Sequence, residues 1–383
     1  MSNGKYGTLR YLEDTVSCRQ FAEPESARDC LHNADNGATT LSEVFTPKAL
    51  AEHLRLFAET HWNWEGVEEI KVGLLRCKAH RCTAEVNLRC NNGWHSLIGK
   101  VYAIDRPDVF QAMERIRLAG FGAQDEFSIP QPLAYVPALR LLLQEKVEGQ
   151  RAKEIFTTGD EWSCTATAER CARWLARFHA TAPKAGPILE PCEYFSSDEM
   201  SEKKQRWLRT LAESGGRVAD KAARLLGALE DAASTLRPVE MCAGHGSYSA
   251  SHIIQANGRT VVIDWDGYDV ADPARDLGRF LAALRHFALG RLGSIRALDA
   301  MAEVFLNTYL EVGEPEAARN LRFYEAGASL ALAKHAYFHG RLEKMEATLD
   351  EGLRVLEGKG ATETPQANRL RPSKQRHPQP NDP

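Results

Sequence analysis

The segment from residue 245 to residue 276 carries the residues best placed to do chemistry. A turn, His-Gly-Ser at 245–247, comes first, and the apolar run Val-Val-Ile at 261–263 then leads directly into Asp264. Because a strand would end there, the Asp264 carboxylate is expected at a sheet terminus, where sites for metal-bound phosphates are commonly built. The segment therefore predicts a metal–phosphate site. The alternative for the acidic residues that follow is a role as loop and capping residues: Asp266, Asp269 and Asp272.

Residues 66–149 predict the sheet that would face this segment. Three segments rich in Val, Ile and Leu are typical of strands: EIKVGLLRC, CTAEVNLRC and HSLIGKVYAI. Asn92-Gly93 between the last two is a strong hairpin signal. A helix from Pro107 and two strands in PLAYVPALRLLLQEKVEG complete a β-β-β-α-β-β order. We predict a small antiparallel sheet with one helix.

The remainder of the chain is predicted to be mainly helical. Apolar residues repeat with helical spacing at 166–181, twice within 199–236, and at 273–290, 294–312, 315–340 and 342–357. A short β-rich stretch with a turn at Asn257-Gly258 interrupts them. The predicted fold class is therefore α+β, with a small antiparallel sheet followed by a mainly helical part.

Composition excludes several classes of protein. The chain has 383 residues, of which 43% are apolar and 26% are charged, and its net charge is −4. These values exclude collagen, coiled coil and wholesale disorder. They also argue against a nucleic-acid or membrane-surface binder, which normally carries a basic excess. No apolar run has the length of a membrane span or a signal-peptide core, so we expect a cytoplasmic protein with no membrane or nucleic-acid partner.

Nine cysteines fit that compartment. The number is odd and the density is far below that of a disulfide scaffold, so reduced structural thiols are predicted. Cys77, Cys82 and Cys90 lie close together in the sequence, and a zinc site is the alternative. Structural zinc usually needs four compact ligands, and the segment lacks a second close Cys/His pair.

The motifs HGSYSASHIIQ, VVIDWDG and DPARDL resemble those of the aminoglycoside phosphotransferase and choline kinase-like family, HGDxxxxN, IDWD and DPxxDL. The resemblance implies a two-lobed protein kinase-like fold with a small antiparallel β-sheet N-lobe and a mainly helical C-lobe. We place an N-terminal extension at 1–40, the N-lobe at 41–149, the C-lobe at 150–358 and a disordered, Pro-rich basic tail at 359–383.

The resemblance also implies site residues. Lys100 is similar to the strand lysine that holds the ATP phosphates, and Glu114 is similar to its ion-pair partner on a helix. The segment LLLQEKVEG resembles the hinge strand that meets adenine, which places Glu145 and Val147 at the nucleotide. Asp264 would bind the metal. The implied cofactors are ATP, or another nucleoside triphosphate, and Mg²⁺ or Mn²⁺.

Two positions depart from the family pattern. Ser247 stands where the family has its catalytic Asp, and His252 stands where it has a metal-binding Asn. A serine hydroxyl is not a base at neutral pH unless it is activated, so Asp266 is a second candidate for the proton acceptor. His252 is either a metal ligand, one that suits softer ions than Mg²⁺, or a core polar residue. The turn KAHR at 78–81 also replaces a Gly-rich loop, and its basic side chains could hold phosphate instead.

Two functions follow from this resemblance. The first is an ATP-dependent phosphotransferase acting on a hydroxyl of a small molecule of the aminoglycoside, sugar or amino-alcohol type. The alternative is a pseudokinase-like module that binds a nucleotide or a partner without turnover. A cationic substrate would suit the acidic residues Asp198, Glu199 and Glu202, which are otherwise a solvated surface. The sequence indicates neither the identity of the acceptor nor an oligomeric state.

Overall fold

The computed structural model describes residues 41–188 and 216–358, apart from positions 61, 63 and 65. Several predictions lie outside the described residues. They concern the extension at 1–40, the first of the two helices within 199–236, the tail at 359–383 and the acidic residues Asp198, Glu199 and Glu202.

A five-stranded antiparallel sheet forms the first part of the described chain, in the strand order β1-β2-β3-β6-β5. One face of β2 is buried at every second residue, because successive side chains of a strand point to opposite faces. That face packs with Leu50 and Leu54 of the first helix. The bounds are β1 Glu69–Lys78, β2 Arg81–Cys90, β3 Gly93–Tyr102, β5 Pro132–Val136, β6 Leu141–Glu145, α1 Pro47–Thr60 and α2 Pro107–Leu118.

The sheet therefore confirms the predicted strands, the turn before Gly93 and the helix that begins at Pro107. The opposite face of β3 carries Lys100, because its neighbour Val101 belongs to the core on the α1 side. The Lys100 side chain therefore points toward the second part of the molecule, where Asp264 and Asp266 accept hydrogen bonds from its ammonium group.

Helices dominate the second part of the described chain, around two small sheets. A four-stranded sheet has the order β4-β10-β9-β7, and β8 pairs with β11. The strand bounds are β4 Phe127–Ser128, β7 Gln150–Arg151, β8 Cys242–Gly244, β9 Ile253–Ala256, β10 Arg259–Val262 and β11 Asp269–Ala271. The helix bounds are α3 Ala152–Thr158, α4 Glu161–Thr181, α5 Arg217–Ala233, α6 Ala274–Leu292, α7 Asp299–Val312, α8 Leu321–Phe338 and α9 Leu342–Leu356.

This architecture is the predicted α+β class with a two-lobed protein kinase-like fold. Two helices begin later than their periodicity indicated. α7 begins at Asp299 instead of residue 294, after Gly293 ends α6 in the left-handed region at φ 75°. α8 begins at Leu321, because a separate 3₁₀ turn covers Pro315–Ala318. Among the described residues, no helix is long and apolar enough to cross a membrane.

The prediction of reduced thiols is wrong for Cys77 and Cys82, which form a disulfide. The antiparallel register of β1 and β2 places them directly opposite each other, with their Cα atoms 4.1 Å apart. Sequence spacing alone did not reveal this pairing. The other cysteines that the structure describes are buried free thiols, as predicted: Cys90, Cys164, Cys171 and Cys242.

Candidate active site

Lys100 lies at the centre of the site, between the two parts of the molecule. It is only 6% exposed, and its Nζ lies 2.9 Å from Asp264 Oδ1 and 3.0 Å from Asp266 Oδ1. The predicted ion pair with Glu114 is not the one formed. Glu114 instead accepts two hydrogen bonds of 3.1 Å from Arg117, one turn along α2, because that guanidinium is a nearer partner. The structure therefore assigns the anchoring of Lys100 to the two aspartates.

The turn after β10 presents both aspartates. β10 ends at Val262, and Asp264 adopts a left-handed conformation with φ 75° directly before the 3₁₀ turn Trp265–Gly267. Trp265 fixes the turn from below, since its indole is 1% exposed and donates a 2.9 Å hydrogen bond to the Val262 carbonyl. This confirms the prediction of a carboxylate at the strand end. The backbone strain at a non-glycine residue is typical of functional sites.

Arg81 is a site residue whose contacts the sequence analysis did not foresee. From the first position of β2, its Nη1 donates to Asp264 Oδ1 at 2.8 Å and also to Asp266 Oδ2. The register pairs Arg81 with Tyr102, and the Tyr102 hydroxyl donates to Asp266 Oδ1 at 2.9 Å. Arg81, Lys100 and Tyr102 thus share one face of the sheet. A signal for Arg81 was present in the sequence. A hairpin that pairs the strand after the KAHR turn with the strand of Lys100 places Arg81 on the same face as Lys100.

The pKa values of Asp264 and Lys100 depend on each other. Burial alone would raise the pKa of Asp264, but the Lys100 and Arg81 cations outweigh burial and hold that pKa well below its usual range. Burial lowers the pKa of Lys100, and the Asp264 carboxylate opposes that shift. The geometry is that of a charge-paired, partly desolvated cluster in which each carboxylate is compensated by a cation.

The loop that carries Ser247 is held by Asp276, in the first turn of α6. The Asp276 carboxylate accepts backbone N–H groups of His245 at 2.6 Å and of Gly246 at 3.0 Å. His245 is fully buried, and its Nε2 lies 3.0 Å from the Ile263 carbonyl. A carbonyl only accepts, so Nε2 carries the proton and Nδ1 is the acceptor that faces Ser247. His245 and Asp276 therefore both brace the loop that carries Ser247.

His252 lies beside Asp264, as a shared metal-binding role requires. Its Nδ1 is 2.9 Å from the Ser247 carbonyl and therefore carries a proton, while its Nε2 is 3.6 Å from Asp264 Oδ2. Burial lowers the pKa of His252 to about 4, so the ring is neutral at pH 7. The neutral ring presents its Nε2 lone pair toward the aspartate.

A divalent metal ion is compatible with these residues only in part. Arg81, Lys100 and Tyr102 already contact Asp264 Oδ1 and both oxygens of Asp266. The other Asp264 oxygen faces an imidazole, a poorer ligand for Mg²⁺ than an oxygen. The described residues include no group of three or more His, Cys, Asp or Glu placed to hold a metal ion. As arranged, the site does not fit Mg²⁺ bridging both carboxylates, and the metal-binding role of Asp264 and His252 stays a prediction.

The segment predicted as the hinge runs along the end of β6. Glu145 accepts a 2.9 Å hydrogen bond from the Gln131 backbone and another of 2.9 Å from Arg259. Val147, like Ile263, packs against a buried apolar cluster that consists of Ile254, Ala256 and Val261. An apolar surface next to a strand edge is suited to a flat aromatic base. Contact of Glu145 or Val147 with a nucleotide stays a prediction.

Comparison with known proteins agrees with this architecture. The model of the phosphotransferase enzyme family matches residues 93–324, which is more than half of the chain. No curated protein matches the sequence. A choline/ethanolamine kinase family protein from Mesorhizobium loti superposes with a TM-score of 0.53 and 16% identity, over 80% of this chain and 97% of that one. A thermostable mutant of the aminoglycoside phosphotransferase APH(4)-Ia superposes with a TM-score of 0.53 and 14% identity, over 80% of this chain and 100% of that one.

At these identities the structural likeness establishes a shared fold only. The match to the family model is what assigns the chain to a family. It spans the strand of Lys100, the loop of Ser247 and the turn of Asp264, the segments that the structure brings together. The chain belongs to the phosphotransferase enzyme family.

Proposed function

We propose that this chain is an ATP-dependent phosphotransferase that transfers a phosphoryl group to a hydroxyl of a small molecule. The observation that carries the proposal is the contact between Lys100 and Asp264, residues 164 positions apart that the fold brings to 2.9 Å. It joins the sheet that would hold a nucleotide to the turn and loop that would hold the acceptor. Membership of the family supports the same class of reaction.

The chemistry asks mainly for alignment and positive charge. Phosphoryl transfer passes through a loose, anionic transition state, so the protein contributes by holding the reactants in line and by neutralising charge. Lys100 and Arg81 supply two cations on one face of the sheet. On nucleotide binding, their charges would be shared between the carboxylates and the phosphate oxygens.

The proton of the acceptor hydroxyl has two candidate acceptors. Asp266 is a carboxylate, but Lys100, Tyr102 and Arg81 already donate to it. Ser247 lies on the loop, with its Oγ 3.3 Å from His245 Nδ1. In a loose transition state the acceptor loses its proton late, so a hydroxyl that positions the acceptor is sufficient for some activity. We assign Ser247 to positioning, and we assign proton acceptance to Asp266 once Lys100 and Arg81 share their contacts with the phosphates.

The substrate class is proposed from the fold and from related structures. A structure of the aminoglycoside phosphotransferase APH(4)-Ia, similar to this chain with a TM-score of 0.53 and 14% identity, holds AMP-PNP and hygromycin B. The structure of APH(2″)-IIa, with a TM-score of 0.50 and 18% identity, holds streptomycin and ATP. A sugar, aminocyclitol or amino alcohol with a free hydroxyl is therefore the acceptor class to test first.

A second candidate is a module that binds nucleotide without turnover. The observation that favours it is the uncharged side chain at Ser247, since a general base typically contributes ~10²–10⁴-fold in rate. Both candidates require the nucleotide, so they share the binding site and differ only in turnover.

The test combines binding with turnover. ATP should raise the melting temperature of the wild type, since a ligand of the folded state adds RT ln(1 + [L]/Kd) to its stability. Consumption of ATP would then be measured with a panel of sugars, aminocyclitols and amino alcohols. Turnover that is lost in Lys100→Ala and kept in Arg89→Ala, a variant in the same sheet, supports the phosphotransferase. Binding without turnover across the panel supports the second candidate, and absence of ATP binding refutes both.

A further inference from the structure

Arg81 occupies the gap between the two carboxylates of the site. A single guanidinium nitrogen, Nη1, contacts Oδ1 of Asp264 at 2.8 Å and Oδ2 of Asp266. A cation that contacts one oxygen from each of two carboxylates holds the position of a bridging divalent ion. The Arg81 side chain is only 16% exposed, so solvent screens this contact little.

The hairpin turn that carries Arg81 is fixed in place. His80, in that turn, accepts a 3.0 Å hydrogen bond from the Ala103 backbone N–H, just beyond the end of β3. On the other side of the gap, Arg106 donates a 3.0 Å hydrogen bond to the Asp266 carbonyl. The turn that carries Arg81 is thus hydrogen-bonded to the residue after β3, and the turn that carries Asp266 is hydrogen-bonded to the residue before α2. The position of Arg81 follows from its pairing with Tyr102 in the sheet.

The charges balance without a metal ion. Lys100 and Arg81 bring two positive charges to the two negative charges of Asp264 and Asp266. Other cations lie near the turn. The pKa of Lys78 is lowered first by burial and then by the nearby positive charges of Arg76 and Arg81. A divalent ion entering this gap would meet Arg81 at close range, whereas a polyphosphate would find several cations.

We propose that Arg81 takes the place of a bridging divalent metal in this site, so that the phosphates of a nucleotide bind here without a metal ion. The inference rests on the proposed function for the identity of the nucleotide. Arg81 would exchange part of its contact with the carboxylates for contact with phosphate oxygens. A planar guanidinium suits that exchange, because it offers five N–H donors that match carboxylate and phosphate geometry.

The first experiment needs no nucleotide. Free Mn²⁺ is titrated into the full-length protein and followed by its electron paramagnetic resonance signal, with circular dichroism and thermal melting to verify folding. The wild type and Arg89→Met, a matched variant at the other end of β2, should bind no Mn²⁺ at this site. Arg81→Met should gain one Mn²⁺ site, which Asp264→Asn added to it should remove.

Two results with the wild type and Arg81→Met would overturn the proposal. One is a Mn²⁺ site in the wild type that Asp264→Asn abolishes, since the gap would then accept a metal beside Arg81. The other is a folded Arg81→Met that gains no site. Arg81→Lys, which keeps the charge, should behave as the wild type; if it gains the site as Arg81→Met does, the cation replacement is wrong.

The second experiment measures ATP affinity by calorimetry in excess Mg²⁺ and in excess EDTA. Wild-type affinity should agree within about threefold between the two conditions. Arg81→Met should lose about tenfold or more of its metal-free affinity, the loss expected for a charge-assisted hydrogen bond, and become dependent on Mg²⁺. A wild type that Mg²⁺ tightens by more than about tenfold would overturn the inference. Absence of ATP binding in every variant would refute the proposed function, while the Mn²⁺ titration still decides the role of Arg81.

Discussion

Asp276 is the residue whose replacement should most clearly damage the loop that carries Ser247. Its carboxylate is 1% exposed and accepts the backbone N–H groups of His245 at 2.6 Å and Gly246 at 3.0 Å. His179 Nε2 lies 3.5 Å from the same carboxylate. Asp276→Ala removes both acceptors and leaves two backbone N–H groups of the loop without their partner.

The magnitude follows from those two hydrogen bonds. A hydrogen bond to a charged group contributes ~1.5–3 kcal/mol, so Asp276→Ala should lower the free energy of unfolding by about 3–6 kcal/mol. This is a large part of the ~5–15 kcal/mol that stabilises a typical protein. Asp276→Asn keeps the size and one acceptor oxygen, so its loss should be roughly half as large. Asp231→Asn, at an exposed position of α5, is the control and should stay within ~0.5 kcal/mol of the wild type.

The pH dependence has a definite sign. Burial alone would raise the pKa of Asp276, but the neighbouring His179 and Arg275 outweigh burial and lower that pKa below its usual value. A lowered pKa in the folded state gives stability that is present above the unfolded pKa, about 3.9, and is lost as the pH falls through the folded pKa. The part of the difference between wild type and Asp276→Asn that comes from the titration of Asp276 should therefore shrink as the pH falls below about 4.

Urea unfolding at several pH values measures both quantities. Similar slopes with denaturant would show that the variants unfold from comparably compact states. The reasoning is refuted if Asp276→Ala unfolds within about 1 kcal/mol of the wild type at pH 7, well below the expected loss. It is equally refuted if the difference between wild type and Asp276→Asn grows as the pH falls below about 4.

Two further predictions concern the nucleotide site and the backbone of the loop. Lys100→Ala should weaken ATP binding by about tenfold or more in calorimetry, whereas Glu114→Ala, whose partner lies on its own helix, should change it less than about twofold. Equal losses would contradict the assignment. Gly246→Ala should lower the free energy of unfolding by more than about 2 kcal/mol, because φ is +77° and the new Cβ would overlap the Gly267 carbonyl. Gly227→Ala, with open space in α5, should instead stabilise by about 0.5–1 kcal/mol, and a neutral Gly246→Ala would contradict the argument.

Local patterns predicted much of the fold and the position of the main acidic residue. The strands of the first sheet and the turn before Gly93 are visible in the alternation of β2 and in the Asn-Gly dipeptide. Asp264 was predictable as a strand-end carboxylate, because it directly follows the apolar run Val261–Ile263 that begins in β10. These features depend on neighbours in the sequence, which is why the sequence alone was enough.

The pairings of the site depend on contacts that are distant in the sequence. Arg81 reaches Asp264 across 183 residues, and no local pattern marks that contact. Glu114 was expected to hold Lys100, but Arg117 lies three residues away on the same helix and forms the pair instead. Once the helix has formed, the pair of Glu114 and Arg117 costs almost no further chain entropy. A pair of Glu114 and Lys100 would instead require the helix and the sheet to be ordered relative to each other. Such competition is settled only by the tertiary structure.

The surroundings of Ser247 support a positioning role for its hydroxyl. His245 donates its Nε2 proton to the Ile263 carbonyl at 3.0 Å, which leaves a lone pair on Nδ1. Nδ1 lies 3.2 Å from the Ser247 backbone nitrogen and 3.3 Å from its Oγ. Burial lowers the pKa of His245, so the ring resists the proton that would turn Nδ1 into a donor. The Ser247 backbone N–H and hydroxyl share that acceptor, and the hydroxyl keeps its own lone pairs for the hydrogen of an acceptor alcohol, which is why we assign Ser247 to positioning.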